Sequence, residues 1–224
     1  MAAAVVAHLY NALPTLGHAD DQFVNRNPVF AQLAELLAKY DNAYGICLVH
    51  SHCKLADGEI TLAKGDISEP VQIALIEQHY PERWLANGTP YEFSTLKTDD
   101  PPQDLVKEFY RITQGFGLQN ILGFYHIQGS QDAPAIIEWT EGRKNLTRVM
   151  TEEDESAQQV QTAWNFGRGS PITMACTIVC DIRTTRSEKP NKHKGTLTQL
   201  PLIMCSNLCL NAGTQSHPKG GHSI

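Results

Sequence analysis

The sequence has no basic surplus: 18 Lys and Arg stand against 24 Asp and Glu, a formal net charge of −6. No cluster of lysine or arginine interrupts that balance, so a nucleic-acid partner, which requires a basic face, is not expected. No apolar run reaches the roughly 20 residues needed to cross a bilayer, so no membrane contact is expected either. The opening stretch "MAAAVVAHLYNALPTLG" is apolar in part but lacks the basic segment that begins an export signal. A cytoplasmic location follows as the expectation, with the six cysteines held as thiols rather than disulfides. Those cysteines also lack the CxxC spacing of zinc ribbons, fingers and thioredoxin-type sites, falling instead as Cys47/Cys53, Cys176/Cys180 and Cys205/Cys209. Repeats and linkers are absent too.

What is present is an ordinary globular composition, 42% hydrophobic and 19% charged over 224 residues, enough for one domain with a real core. "NPVFAQLAELLAKYDN" predicts a helix capped by Asn27 with Pro28 in its first turn, and "QDLVKEFYRITQGFG" predicts an amphipathic helix stopped by glycine. "AYGICLVHSHCKL" reads as a strand turning at "ADG" (56–58) into a partner strand, "EITLAKG". Helices are expected at "PVQIALIEQHY" and "DESAQQVQTAW", and strands at "NILGFYHIQ", "PAIIEWTEG", "NLTRVMTE" and "SPITMACTIVCDIRTTR". Together these predict an α+β fold: a single domain over residues 1–194 with a mostly antiparallel sheet flanked by helices. Residues 195–224 are expected as a C-terminal tail to which no fold is assigned, apolar at "LPLIMCSNLCL" and polar after it.

The chemistry concentrates in "YGICLVHSHCKLADGE". On a strand, His50 and His52 would share a face about 7 Å apart at Cα, and both imidazoles could reach one metal ion. The alternative is a pair of histidines satisfied by ordinary core contacts. Glu59, past the turn, is a ligand or general base if the hairpin closes tightly, and otherwise an exposed strand-start carboxylate. Cys47 and Cys53 have the opposite parity and read as buried thiols. Cys176 and Cys180 are about 13 Å apart on a strand, so at most one of them joins the histidines as a metal ligand. His126 and His193 are further candidates for a third ligand. A nucleophilic cysteine paired with a histidine is the chemical rival, although no flank carries a cysteine-enzyme signature. The spacing of Gly45, the HxH pair, Glu59 and Gly65 approaches the cupin pattern but misses every gap.

The segments "YGICLVHSHCKLADGEI" and "TAWNFGRGSPITMACTIVCDIRTTR" resemble those of a group of small fungal proteins described as hemocyanin-like, from about Pro28 to about Lys194. One branch of that group is cyclopenase, a zinc-requiring lyase of quinolone alkaloid secondary metabolism. The resemblance implies zinc as cofactor and a benzodiazepine or quinolone alkaloid as small-molecule substrate. It carries over His50, His52 and Glu59, and less surely the cysteines. The implied reaction contracts a cyclopenin-type benzodiazepinedione epoxide to a viridicatin-type quinolone with loss of methyl isocyanate. A cytosolic small-molecule-binding protein with a structural metal site, or none, is the competing expectation. A dinuclear copper site is disfavoured, because it needs two sets of three histidines and only one HxH pair is present.

Overall fold

A computed structural model describes residues 3–128, 134–152, 154, 159–167 and 174–181. All of them fall within the compact unit Met1–Lys189. The tail expected from residue 195, with His193, lies outside the described residues.

Three helices open the chain: α1 (Ala3–Asn11), α2 (Leu16–Gln22) and α3 (Arg26–Ala38). Thr15 caps α2 by accepting from the His18 backbone N–H. Then come β1 (Tyr44–Leu48), β2 (Glu59–Lys64), β3 (Ile67–Gln72), β4 (Tyr80–Leu85) and β5 (Pro90–Ser94). After α4 (Gln103–Gly115) follow β6 (Leu122–His126), β7 (Ile136–Glu141), β8 (Lys144–Val149), β9 (Gln159–Phe166) and β10 (Met174–Asp181).

These strands close into a barrel in the order β1-β6-β4-β5-β2-β3-β8-β7-β10-β9, with β9 pairing back onto β1. The expectation of a mostly antiparallel sheet flanked by helices is therefore corrected to a closed ten-stranded mixed barrel. Two ladders, β2 with β5 and β7 with β10, are parallel. The physical reason is long-range pairing. β1 and β2 do not form the expected hairpin: β1 pairs with β6 and β9, and β2 with β3 and β5. Residues 49–58 cross between distant strands instead. "PVQIALIEQHY" supplies the end of β3 and a single 3₁₀ turn, Ile73–Leu75, rather than a helix. Val71, Ile73 and Ile76 pack with Val6, Ile60, Leu62 and Phe93, so their spacing serves a sheet contact with α1. The helix expected at "DESAQQVQTAW" is overturned over its described part, which forms strand β9.

Side chains of β1 alternate across the barrel wall. Tyr44, Ile46 and Leu48 join Phe30, Leu33, Leu37, Phe109 and Trp164 in the large core that seats α3 and α4 outside the wall. Stacking of Trp84 on Phe124, 5.7 Å between ring centroids, belongs to this layer. Gly45 and Cys47 turn the other way, into the barrel. A Cβ on Gly45 would lie 2.5 Å from both Asn165 Oδ1 and Tyr125 Cζ, so glycine is required there for these side chains to meet. Tyr125 donates or accepts through its hydroxyl with Thr177 at 2.9 Å and is bonded to Asn165. The inner wall is thus polar where the outer wall is apolar.

Candidate metal centre

His50 and His52 lie beyond the end of β1, in the segment that crosses to β2, rather than on a strand. Strand alternation therefore does not bring them together. The N-terminal helix does. The His52 backbone N–H donates to the hydroxyl of buried Tyr10 on α1, at 3.1 Å. Asn11 exchanges two hydrogen bonds of 2.8 Å with the backbone of Leu55, and the Ser51 N–H donates to the Pro14 carbonyl at 3.1 Å. So anchored, the two imidazoles stack edge-on with centroids 4.5 Å apart.

His50 Nδ1 lies 2.8 Å from the Leu48 carbonyl oxygen. A carbonyl only accepts, so Nδ1 carries the proton and Nε2 keeps its lone pair. That Nε2 is buried, has no hydrogen-bond partner, and faces Glu138 Oε1 at 4.0 Å. Glu138 sits on β7 directly across the parallel ladder from Cys180 on β10. The ligand atoms of His50, Glu138 and Cys180 all lie within 4.8 Å of one another, and all three residues are buried. They form a group that can hold a metal ion. The donor set, one imidazole nitrogen, one carboxylate oxygen and one sulfur, suits a borderline-soft divalent cation. Fixing a ligating histidine through a second hydrogen bond on its far nitrogen is the support such sites use.

Glu138 is held on both sides. Register shifts in β10 against β9 leave Thr162 opposite no partner, and its hydroxyl donates to Glu138 Oε1 at 3.0 Å. The Asn145 amide donates to Oε2 at 3.2 Å. Burial would raise this carboxyl, but His52, Arg83, His50 and the Asn145 donor outweigh it and hold it well below the usual range. Burial lowers His50, against the pull of Glu138, and takes His52 down to about 3, with His50 adding to the fall. Burial pushes the Cys180 thiol far up, Glu138 and Asp181 adding to it. The resting site is thus two neutral imidazoles, one carboxylate and one protonated thiol.

A second carboxylate and a guanidinium complete the cluster. Arg83 Nε on β4 lies 3.2 Å from Glu92 Oε2 on β5, and its Nη2 lies 3.8 Å from Glu138 Oε2. Glu92 Oε1 in turn faces His52 Nε2 at 4.0 Å, another buried nitrogen without a partner. Burial, with Glu82 and Glu138 contributing, raises Glu92 to about 7 although Arg83 pulls the other way. With both carboxylates ionised, the single arginine leaves one negative charge uncompensated, which a bound cation would relieve.

The remaining sequence candidates are placed elsewhere. Glu59 is committed to Arg143, and its Oε2 also accepts from the Ala56 N–H at 2.7 Å. These contacts hold its carboxyl below the usual range, the Arg143 hydrogen bond leading. Cys47 is buried against Tyr91, its Sγ 3.5 Å from the hydroxyl, and burial raises its thiol to about 11, so it is no thiolate nucleophile. Cys53 is half-buried, and burial raises its thiol as well. The backbone of Cys176 pairs with Trp164, and its side chain lies outside those described. His126 pairs with Tyr44, at the opposite end of the β1–β6 ladder from the Leu48 end that leads to His50.

Sequence reasoning missed Glu138, Arg83 and Glu92. Each was visible as a charge embedded among strand-forming apolar residues, in "IIEWT", "ERW" and "YEF". No family model, no curated protein and no solved structure matches this chain. No helix among the described residues is long and apolar enough to cross a membrane.

Proposed function

We propose that this protein is a zinc-dependent lyase resembling cyclopenase, converting a cyclopenin-type benzodiazepinedione epoxide to a viridicatin-type quinolone and methyl isocyanate. The observation that carries the reading is the buried His50–Glu138–Cys180 group, three protein donors of the kinds zinc prefers. His52, expected as a ligand from the HxH pair, stands beside them with a lone Nε2. The resemblance of the two quoted segments to hemocyanin-like fungal proteins supplies the substrate class.

Bound zinc would supply Lewis acidity toward a carbonyl or epoxide oxygen. The chain's own residues do the rest. Leu48 fixes the His50 tautomer, Thr162 and Asn145 hold Glu138 in place, and α1 anchors the loop that carries both histidines. The proton-transfer role expected of Glu59 passes to Glu92. Glu59 is occupied by Arg143, whereas the Glu92 carboxylate faces His52 beside the cluster and can accept the ring amide proton and return it. The reaction needs no co-reactant, because the quinolone and methyl isocyanate together account for every atom of the substrate.

The test is elemental analysis of the purified protein beside His50→Ala and Cys180→Ser, followed by turnover assays with cyclopenin. One equivalent of zinc in the wild type, lost in folded variants, with quinolone produced only by the zinc-loaded protein, is expected. Stoichiometric zinc without turnover would leave the competing reading, a binding protein with a structural metal. Absence of stoichiometric metal after reconstitution would overturn the lyase and leave a binding protein without a metal.

A further inference from the structure

Arg83 is a charged group inside the barrel whose donors are little used among the described residues. A guanidinium carries five N–H donors, and burying them unpaired is costly. Its two close neighbours, Glu92 at 3.2 Å and Glu138 at 3.8 Å, are charge contacts; to no described residue does the guanidinium donate a well-directed hydrogen bond. The side chain is nevertheless held inside the barrel, with 11% of its surface accessible. Glu92 beside it keeps 10%, while His50 and Glu138 keep 2% and 0%. Arg83 and Glu92 are thus more accessible than the metal-ligating residues His50 and Glu138. Two buried atoms without partners, His50 Nε2 and His52 Nε2, belong to the same cluster.

Arg83 also stands where a second cation would have to stand. It contacts one carboxylate from each side of the cluster, and the fixed charge of the guanidinium disfavours another metal between Glu92 and Glu138. The centre is built as one metal position and one arginine sharing a carboxylate. Such a pair matches a ligand with two oxygen acceptors, one directed to the metal and the other to the guanidinium fork.

We propose that Arg83 anchors the bound ligand by donating to a carbonyl or carboxylate oxygen, and so selects compact dicarbonyl molecules over monocarbonyl ones. This rests on the lyase reading for the metal-loaded protein and assigns one carbonyl of its dione substrate to Arg83. A guanidinium in this position fixes orientation through geometry as well as charge, which a lysine ammonium does not reproduce.

The test uses the zinc-loaded protein, calorimetry and three probes: 1,4-benzodiazepine-2,5-dione, the corresponding lactam with one carbonyl, and benzoate. The dione has no epoxide and cannot react, so binding is read apart from turnover. The wild type is expected to bind the dione on the order of 10- to 100-fold more tightly than the lactam, the factor for one hydrogen bond from a charged donor. Arg83→Met should abolish that preference and weaken benzoate similarly. Arg83→Lys, which keeps the charge between the two carboxylates should Arg83→Met fail to fold, should retain only part of it. Cobalt substituted for zinc reports, through its visible spectrum, that the metal position itself is unchanged in the variants.

Arginine-dependent binding of benzoate without any binding of the dione would overturn the dicarbonyl selection and remove the alkaloid substrate class. Dione binding that is unchanged in Arg83→Met or Arg83→Lys would overturn the anchor while leaving the lyase reading standing. No binding of any probe by the zinc-loaded wild type would overturn it too, and Arg83 would then be a structural bridge between Glu92 and Glu138.

Discussion

Zinc uptake should release a number of protons that the resting site already determines. A ligand must be deprotonated to bind, so each contributes a proton only if it carries one beforehand. His50 is lowered by burial and enters neutral, and Glu138 is held low and enters as the carboxylate. Neither releases anything. Cys180, raised by burial, enters as the thiol and must release one proton. Glu92 at about 7 adds a variable share, because a divalent charge nearby lowers its pKa. At pH 8 about one tenth of Glu92 is protonated and at pH 6 about nine tenths, by the ordinary titration relation. Release should therefore rise from about one proton per zinc at pH 8 to about two at pH 6. The affinity should increase with pH, at about tenfold per unit near pH 8 where Cys180 alone contributes. Calorimetric titration in buffers of different ionisation enthalpy measures the count directly. Glu92→Gln should flatten it to one at all these values, and Cys180→Ser should remove one throughout. Two protons at pH 8, or a Cys180→Ser protein that still releases one there, would refute the charge assignment on which the site is built.

Two further outcomes test the surroundings. Gly45→Ala should destabilise the fold by about 1–3 kcal/mol in urea denaturation, since the added methyl must displace Asn165 and Tyr125 inside the wall. Glu59→Gln should cost less than about 1 kcal/mol, because Arg143 is half exposed and its ion pair is screened by solvent. The same variant should keep full zinc content and turnover; lost turnover with zinc in place would return the general-base role to Glu59.

Local signals carried part of this architecture into the sequence. The spacing of Phe30, Leu33, Leu36 and Leu37 predicts α3 because all four are buried on one side of a helix. The strands expected at "PAIIEWTEG" and "NLTRVMTE" are β7 and β8, and Gly142 between them takes a φ of 63° that other residues avoid. Barrel closure has no comparable local sign. It depends on β9 meeting β1 and on β2 lying parallel to β5, pairings between segments far apart in the chain. In β9 the β-branched Val160 and Thr162 and the alternate aromatics Trp164 and Phe166 did favour a strand, but the polar residues around them pointed to a helix.

The site divides along the same line. The HxH pair was legible because its two members are neighbours in sequence, although the reason given for their meeting was wrong: α1, not strand alternation, holds them. Glu138, Arg83 and Glu92 come from three other strands, and a charge in a short strand reads as a solvated face until the strand is known to line a closed barrel. Once closure is given, the inference reverses. A carboxylate with no exposed surface needs donors or a cation, and Glu138 has Thr162, Asn145 and Arg83 within reach. The unpaired nitrogen of His50 and the thiol of Cys180 on its remaining side are therefore what make this cluster able to hold a metal ion, beyond a satisfied ion pair. A chain selected only for stability would have filled those positions with apolar side chains of the same volume.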